Sequence, residues 1–584
     1  MTIRANIVNI KNRTIQVCNL TIKGTKIQSI EIVAPKEQKG LLYIMPGFID
    51  SHIHIESSML TPSQFARMAV VHGTVATVSD PHEIANVCGM QGVEYMIADG
   101  KTVPFYFYFG APSCVPATNF ETAGAAITVA DVAALLQRND INYLSEMMNF
   151  PGVLNGDKDV IAKLALAHKY NKPIDGHAPG LRGDAAKQYI ETLCLTTSQR
   201  RGKSKGKLGG LTCTDHECTT YDEALEKLQY GMKILIREGS AAKNFNALID
   251  LLHNWDDSIM FCSDDKHPDS LAISHINALC ARAVAHGIDV FKVLKAACIN
   301  PVKHYNLKVG QLKVRDTADF IMVDNLTAFN VKHTFIKGKI LSSNEKSFIE
   351  TTEAPIINNF TVSPITTKAL QIKSSELGNT LTAIVALDGE LITNKLALKK
   401  KDLLQKGKLE SNTTIDILKI VVVNRYTNAP VAKAFIKNFG IQKGAIASSV
   451  AHDSHNIVAV GVDDESICKA INLIINAKGG LSYAVPKAEI KKSKIAKLKK
   501  LGSTLIDDWG MGGLLQLPVA GLMTNIDGYQ VAEQYTAMEK FVKKKMGATL
   551  QSPYMTLSFM ALLVIPHLKL SDKGLFDGDT FSLL

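Results

Sequence analysis

The chain has 584 residues, of which 46% are hydrophobic and 21% charged, with a formal charge of +10. That length exceeds one ordinary core and the composition excludes a disordered chain, so two or more folded domains are expected. No apolar stretch approaches the roughly 18 residues of a membrane span, and Met1 to Ala34 lacks the basic cap, apolar run and small-residue cleavage site of a secretory signal, which points to a cytoplasmic protein without a membrane partner.

Short alternating runs open the chain, Ile7 to Ile10, Ile15 to Ile22 and Lys26 to Ile32, separated by Asn-Arg and Gly-Thr turns, and these predict small strands. After Met45-Pro46-Gly47 the pattern changes. Brief apolar runs that end in polar residues are each followed by a helix-like segment: Phe48 to Ile55, Thr74 to Asp80, Val103 to Gly110, Ile141 to Met147, Pro173 to His177, Leu211 to His216, Lys233 to Glu238 and Ser258 to Asp264. A spacing of roughly 25 to 40 residues suits a strand, a crossover helix and two loops. Eight such units predict a (β/α)₈ barrel over residues 46–310. A doubly wound open sheet is the alternative, but it would not bring every strand end to one place. Beyond a loop expected at Asn300-Pro301, Leu312 to Val323 and His333 to Ile340 return to short strands, so residues 1–45 and 311–348 are expected to form one small β-sandwich-like domain from both flanks of the barrel. Residues 349–584 read as a C-terminal α/β domain with Gly-rich turns at Gly444, Gly479-Gly480 and Gly512-Gly513.

Much of the positive excess sits in short runs, Lys203 to Lys207, Lys399 to Lys401 and Lys491 to Lys500, which read as solvated faces rather than a nucleic-acid surface. The 10 cysteines contain no C-x-x-C pair and are expected to be reduced, mostly buried hydrophobes.

The chemistry begins at His52-Ile53-His54, because residues i and i+2 of a strand point to the same side and two imidazoles can then grip one ion. Glu146, His177, His216 and Asp264 end the fourth, fifth, sixth and eighth runs, at the rim where a barrel carries its functional groups. Nitrogen and oxygen donors without thiolate suit manganese, iron or zinc. Six donors exceed what one ion with an open position uses, and two ions about 3.5 to 4 Å apart use them naturally, with Glu146 bridging. A water between such ions loses its proton near neutral pH, and Asp264, a carboxylate beside the ions, is the candidate to take that proton and return it to the leaving group.

Met45-Pro46-Gly47-Phe48-Ile49-Asp50-Ser51-His52-Ile53-His54, the strand-end ligand order, and Asn300-Pro301 followed by Ala318-Asp319 resemble the amidohydrolase superfamily. Within it, Glu56-Ser57-Ser58, Ser79-Asp80-Pro81-His82-Glu83, Gly176-His177-Ala178-Pro179-Gly180, Asp215-His216-Glu217-Cys218, Arg237-Glu238-Gly239-Ser240, Ala451-His452-Asp453-Ser454-His455-Asn456 and Met555-Thr556-Leu557-Ser558-Phe559 are similar to the bacterial-type adenine deaminase family over nearly the whole chain. The resemblance implies hydrolytic deamination of adenine in purine salvage, with a manganese or iron pair, a small purine as substrate and a homodimeric assembly. Thr197 to Gly210, rich in Lys, Arg and Gly, stands as an extra basic surface loop relative to the family pattern.

Hydroxide addition to an aromatic amidine carbon is uphill unless the neighbouring ring nitrogen gains a proton, so a general acid is required. His82 and Glu83, beyond the second strand end, are the candidates, and Asp80 is a candidate acceptor for a ring N–H. His452, Asp453 and His455 form a second polar cluster that either caps the site, binds a further ion or makes a hydrogen-bonded loop. The remaining histidines, His72, His168, His253, His275, His286 and His304, are expected in packing or surface roles. The rival readings are another two-metal amidohydrolase acting on a cyclic amide, and a non-catalytic scaffold that kept the barrel.

Overall fold

The computed structural model describes residues 1–194, 213–351, 353–376, 378–486, 504–506 and 510–584. The basic insertion Thr197 to Gly210, the lysine run Lys491 to Lys500 and the start of the sixth apolar run at Leu211 lie outside the described residues.

Every apolar run of the central region forms a strand: Phe48–Ile53, Thr74–Ser79, Tyr106–Ala111, Ile141–Met147, Ile174–Gly176, Cys213–Asp215, Lys233–Arg237 and Ile259–Cys262. They lie in sequence order, each parallel to the next. Helices cover the outer face and side chains fill the interior, so these strands are buried on both sides and need no polar alternation. The crossover helix Lys158–Lys169 illustrates the local logic. The Asp157 side chain accepts from the amides of Asp159 and Val160 at its start, and Val160, Leu164 and Ala167 line up on its buried stripe. The ring closes where Ile53 bridges Asp264: the Asp264 amide donates to His52 O at 3.0 Å and the His54 amide to Asp264 O at 3.3 Å. On its other side the first strand pairs with the second, and a register shift between Asp50 and Ile53 there marks a bulge that re-aims side chains at the rim.

Both flanks of the barrel contribute to one eight-stranded sheet. Tyr43–Pro46 joins them, parallel to Thr2–Asn9 and antiparallel to Phe320–Val323. The sheet curls until the hairpin near Lys26 meets Thr317, enclosing Ala5, Leu20, Ile44, Phe320 and Phe335. The C-terminal region forms a nine-stranded mixed sheet with the helix Asp464–Ala477 packed on it, and a three-stranded sheet, Leu568–Ser571, Gly574–Asp577 and Ser582–Leu583. One apolar core runs from Ile53 and Leu144 of the barrel to Leu418, Val450 and Tyr483 of that larger sheet. Among the described residues no helix is long and apolar enough to cross a membrane.

Three sequence expectations are corrected. Asn300-Pro301 continues a helical run rather than introducing a loop: the wide turn Lys295–Ile299 leads straight into the helix Asn300–Tyr305, with the Asn300 amide donating to Lys295 O, and such a widened turn accommodates the proline. Gly512-Gly513 lies inside the strand Gly510–Gln516, and the reason is close approach: a Cβ on Gly513 would stand 2.1 Å from the Tyr483 ring. Cys194 and Cys213 are joined in a disulfide, with Cα atoms 5.9 Å apart. The first ends the helix Gly183–Leu193 and the second begins the sixth strand, so a return from helix to strand, which spacing alone does not reveal, brings the thiols together. Of the other eight cysteines, all free, only Cys88 is not buried.

Candidate metal centre and active site

The six donors read from the strand ends meet at one rim of the barrel, all at most 7% exposed. Donors bound to a common cation at roughly 2.0 to 2.2 Å lie roughly 3 to 4 Å from each other. His52 Nε2 and His54 Nε2 are 3.2 Å apart, and Asp264 Oδ1 lies 3.3 Å from the second and 3.7 Å from the first. Glu146 Oε1 is 3.3 Å from His54 Nε2, while its other oxygen faces a second group, 2.9 Å from His177 Nδ1 and 3.3 Å from His216 Nε2. The residues therefore present two adjoining cation-sized gaps with one carboxylate shared between them. Three of the rings each turn one nitrogen to the cluster, His52 Nε2, His177 Nδ1 and His216 Nε2, and among the described residues the opposite nitrogen of each makes no hydrogen bond.

The electrostatics agree. Burial pulls the His54 imidazole down, yet Asp264 and Glu146 hold it well above its ordinary value; burial also lowers His216, and Glu146 and Glu217 raise it well above. Burial pushes Glu146 up, but His177, His216 and His54 hold it well below the carboxylate range. These carboxylates demand positive charge at their centre. Divalent cations held between neutral imidazoles would supply it.

Arg237, the last residue of the seventh strand, reaches into the same rim. Its Nη1 donates to Glu217 Oε1 at 2.5 Å and Asp264 Oδ2 at 2.6 Å, and its Nη2 to Glu217 Oε2 at 2.8 Å. Against the upward push of burial, Arg237 and His54 keep Asp264 well below its ordinary value. Sequence reasoning gave no role to Arg237 or Glu217. The available signal was their place, one ending an apolar strand at the ligand-bearing rim and the other directly after His216.

Among the substrate candidates, His82 and Glu83 start the helix His82–Cys88 and both line the cavity that the donor cluster opens onto. Asp80, expected to touch the substrate, lies behind His82 instead: one oxygen accepts from the His82 amide at 3.1 Å and the other sits 3.1 Å from His82 Nδ1. It shares with His54, His82 and Glu146 a compact group of buried donors. Glu83 is clasped by His452 Nδ1 and His455 Nε2, which come from the loop between the strands Ala445–Ser448 and Ile457–Gly461. Against burial, these imidazoles hold Glu83 well below its ordinary value. His452 and Asp453 stand on the cavity wall beside Phe559, Leu562 and Ile565, and Asp453 also forms with His82 and Glu83 a buried group of donors close enough to share a cation. His275, expected only to pack, is a buried hydrogen-bonding residue: its Nε2 pairs with Asp50 at 2.8 Å and its Nδ1 with Thr74 at 2.7 Å.

Comparison with known proteins agrees with this architecture. The model of the amidohydrolase family matches residues 43–341, and that of the adenine deaminase C-terminal domain matches residues 390–499 and 501–582. Curated relatives named adenine deaminase include one from Salinibacter ruber, 45% identical over 100% of this chain and 98% of its own. Another, from Sulfurovum sp., is 48% identical over 100% and 99%, and a third, from Methanosarcina mazei, is 46% identical over 97% and 95%. By barrel, rim chemistry and full-length similarity, this chain belongs to the adenine deaminase family of amidohydrolases.

Proposed function

We propose that the protein hydrolyses adenine to hypoxanthine and ammonia. The observation that carries this reading is the shared carboxylate of Glu146 between two donor groups, roofed by a domain of adenine deaminase type. Two divalent ions, manganese or iron, would be held by His52, His54 and Asp264 on one side and His177 and His216 on the other, with Glu146 between them. When bound, such a pair supplies a water acidified toward neutral pH, since one metal alone brings bound water from 15.7 to about 7.

The remaining steps belong to the chain. Asp264, kept ionised by Arg237, takes the proton of the attacking water at Oδ1 and delivers it to the departing amine. His82 gives the ring nitrogen its proton from Nε2, oriented by Asp80 at Nδ1. The geometry favours His82 over Glu83, whose two oxygens are already taken by His452 and His455. Met148, Phe559 and Leu562 give the purine an apolar wall and keep bulk water out. Hydration of the ring carbon and loss of ammonia then balance as adenine plus water to hypoxanthine plus ammonia.

In domain terms we assign residues 1–45 with 311–348 to the flanking β-unit, 46–310 to the barrel and 349–584 to the roof. The family resemblance carries with it purine salvage, a cytoplasmic location and a homodimer, which cell fractionation and sedimentation test. The deciding experiment loads the purified protein with manganese and follows ammonia release from adenine, with hydantoin and dihydroorotate in parallel. Turnover of adenine alone is expected. Turnover of a cyclic amide instead, or failure to bind any transition metal after supplementation, would overturn the reading.

A further inference from the structure

We propose that His82 Nε2, Glu83 Oε1 and Asp453 Oδ1 form a third divalent-cation site, separate from the catalytic pair, whose occupation switches the enzyme off; the inhibition rests on the functional reading above, whereas the site does not. Glu83 Oε1 and Asp453 Oδ1 each lie 3.6 Å from His82 Nε2, the spacing of donors that surround one ion. The donor atoms of the three residues all fall within 4.8 Å of one another, and each residue is at most 4% exposed. Both contacts to His82 are too long for good hydrogen bonds, and among the described residues His82 Nε2 and Asp453 Oδ2 have no hydrogen-bond partner. Buried polar atoms without partners are costly, and a cation between the ring and the two carboxylates answers them.

This group stands apart from the pair held by Glu146. His82 turns its other nitrogen, Nδ1, toward that centre, 3.1 Å from Asp80 Oδ2 and 3.5 Å from Glu146 Oε1. A proton on Nδ1 directed at Asp80 therefore leaves the lone pair of Nε2 for an ion on the far side of the ring. The clasp of Glu83 by His452 and His455 disqualifies it as a proton donor but suits it as a ligand, since metal-bound carboxylates are ionised and are themselves hydrogen-bonded. One imidazole with two carboxylates is a three-donor set of the kind zinc accepts while keeping a position for water. In the functional reading Nε2 carries the proton given to the purine ring. A metal ion there displaces that proton and blocks the approach of the ring nitrogen, so purine and third ion exclude each other.

The test strips the protein of metal and counts zinc per chain by equilibrium dialysis against rising free zinc, for wild type, Asp453→Asn and Asp453→Ala, with and without hypoxanthine. Wild type is expected to bind one equivalent more than either variant, or to hold it at least about 10-fold more tightly, and hypoxanthine should displace that equivalent alone. The nearly isosteric Asp453→Asn guards against a packing defect, and the two equivalents kept by both variants report an intact catalytic centre. In parallel, zinc is added to the manganese-loaded enzymes and bound manganese is counted. Wild type should be inhibited competitively with adenine while two manganese ions remain, and the variants should need at least about 10-fold more zinc for the same fractional loss of their own rate. Equal zinc counts and affinities in all three proteins would overturn the proposal, as would inhibition that is equally strong in all three or that tracks loss of manganese. Absence of adenine turnover in the manganese-loaded wild type would sink the functional reading, and the zinc count would still decide the site.

Discussion

Replacing Arg237 with Met should weaken the metal-free protein in a way that depends on pH. The guanidinium makes three contacts of 2.5 to 2.8 Å to Glu217 and Asp264, and all three residues are buried. Methionine fills much of the same volume, so the cavity cost is small and the dominant loss is two carboxylates left without their counter-ion. Breaking a buried pair by removing one partner costs about 3 to 5 kcal/mol, and with two orphaned carboxylates the upper end applies. The sign with pH follows from the direction of the shifts. Burial raises Glu217, but Arg237 and His177 bring it far below its ordinary value, so the stabilisation is present above the ordinary carboxylate range and is lost only as pH falls through the depressed folded value. In Arg237→Met burial prevails, the carboxylates regain protons at higher pH, and the difference from wild type narrows toward acid. Urea unfolding of metal-stripped wild type and variant, followed by circular dichroism at pH 7.5 and pH 5, measures this. A difference below about 1 kcal/mol at pH 7.5, or one that widens at pH 5, would refute the reasoning.

Glu146→Gln should abolish turnover and empty much of the metal centre, because one oxygen faces each donor group; Asp264→Asn should abolish turnover with a smaller metal loss, and near-normal rates in either would contradict the roles assigned. His452, lowered by burial but raised by Glu83 and Asp265 to about 9, contributes stability that is fully present below its ordinary value of 6.5 and lost as pH rises through about 9. The metal-free protein should therefore lose about 3 kcal/mol over that window, and Glu83→Gln, which removes the main partner, should flatten the pH profile of the urea midpoint. Gly513→Ala forces a Cβ into the Tyr483 ring and should cost about 1 to 3 kcal/mol, read as a lowered denaturant midpoint.

The barrel and its donors were legible because each signal is local. An apolar run a few residues long ending in His, Glu or Asp states both the strand and the rim position of its last side chain, and His52 with His54 adds the two-residue spacing that aims both rings one way. What escaped depends on pairs distant in sequence. Glu217 and Arg237 each lay in a quoted motif, but nothing in either segment says that one clamps the other. Asp80 and His82 are two residues apart, and only the turn at Pro81 decides that the carboxylate backs the imidazole instead of facing the cavity. The clasp of Glu83 by His452 and His455 joins residues roughly 370 positions apart, so composition could mark the cluster as polar but not name its partner. Gly513 and Cys194 make the same point for packing: the ring beside one and the thiol beside the other are set by neighbouring strands and helices rather than by the flanking residues.

The seam at which the barrel closes has a consequence for biosynthesis. Because Ile53 meets Asp264 there, the first and last staves must be joined before His52, His54 and Asp264 surround a common point. A nascent chain still short of residue 264 already carries His52, His54, Glu146, His177 and His216, but not the stave whose pairing with Ile53 brings Asp264 against the first two. The full set of six donors therefore comes together only when the ring is whole, so closure of the barrel and completion of the centre are one event in assembly.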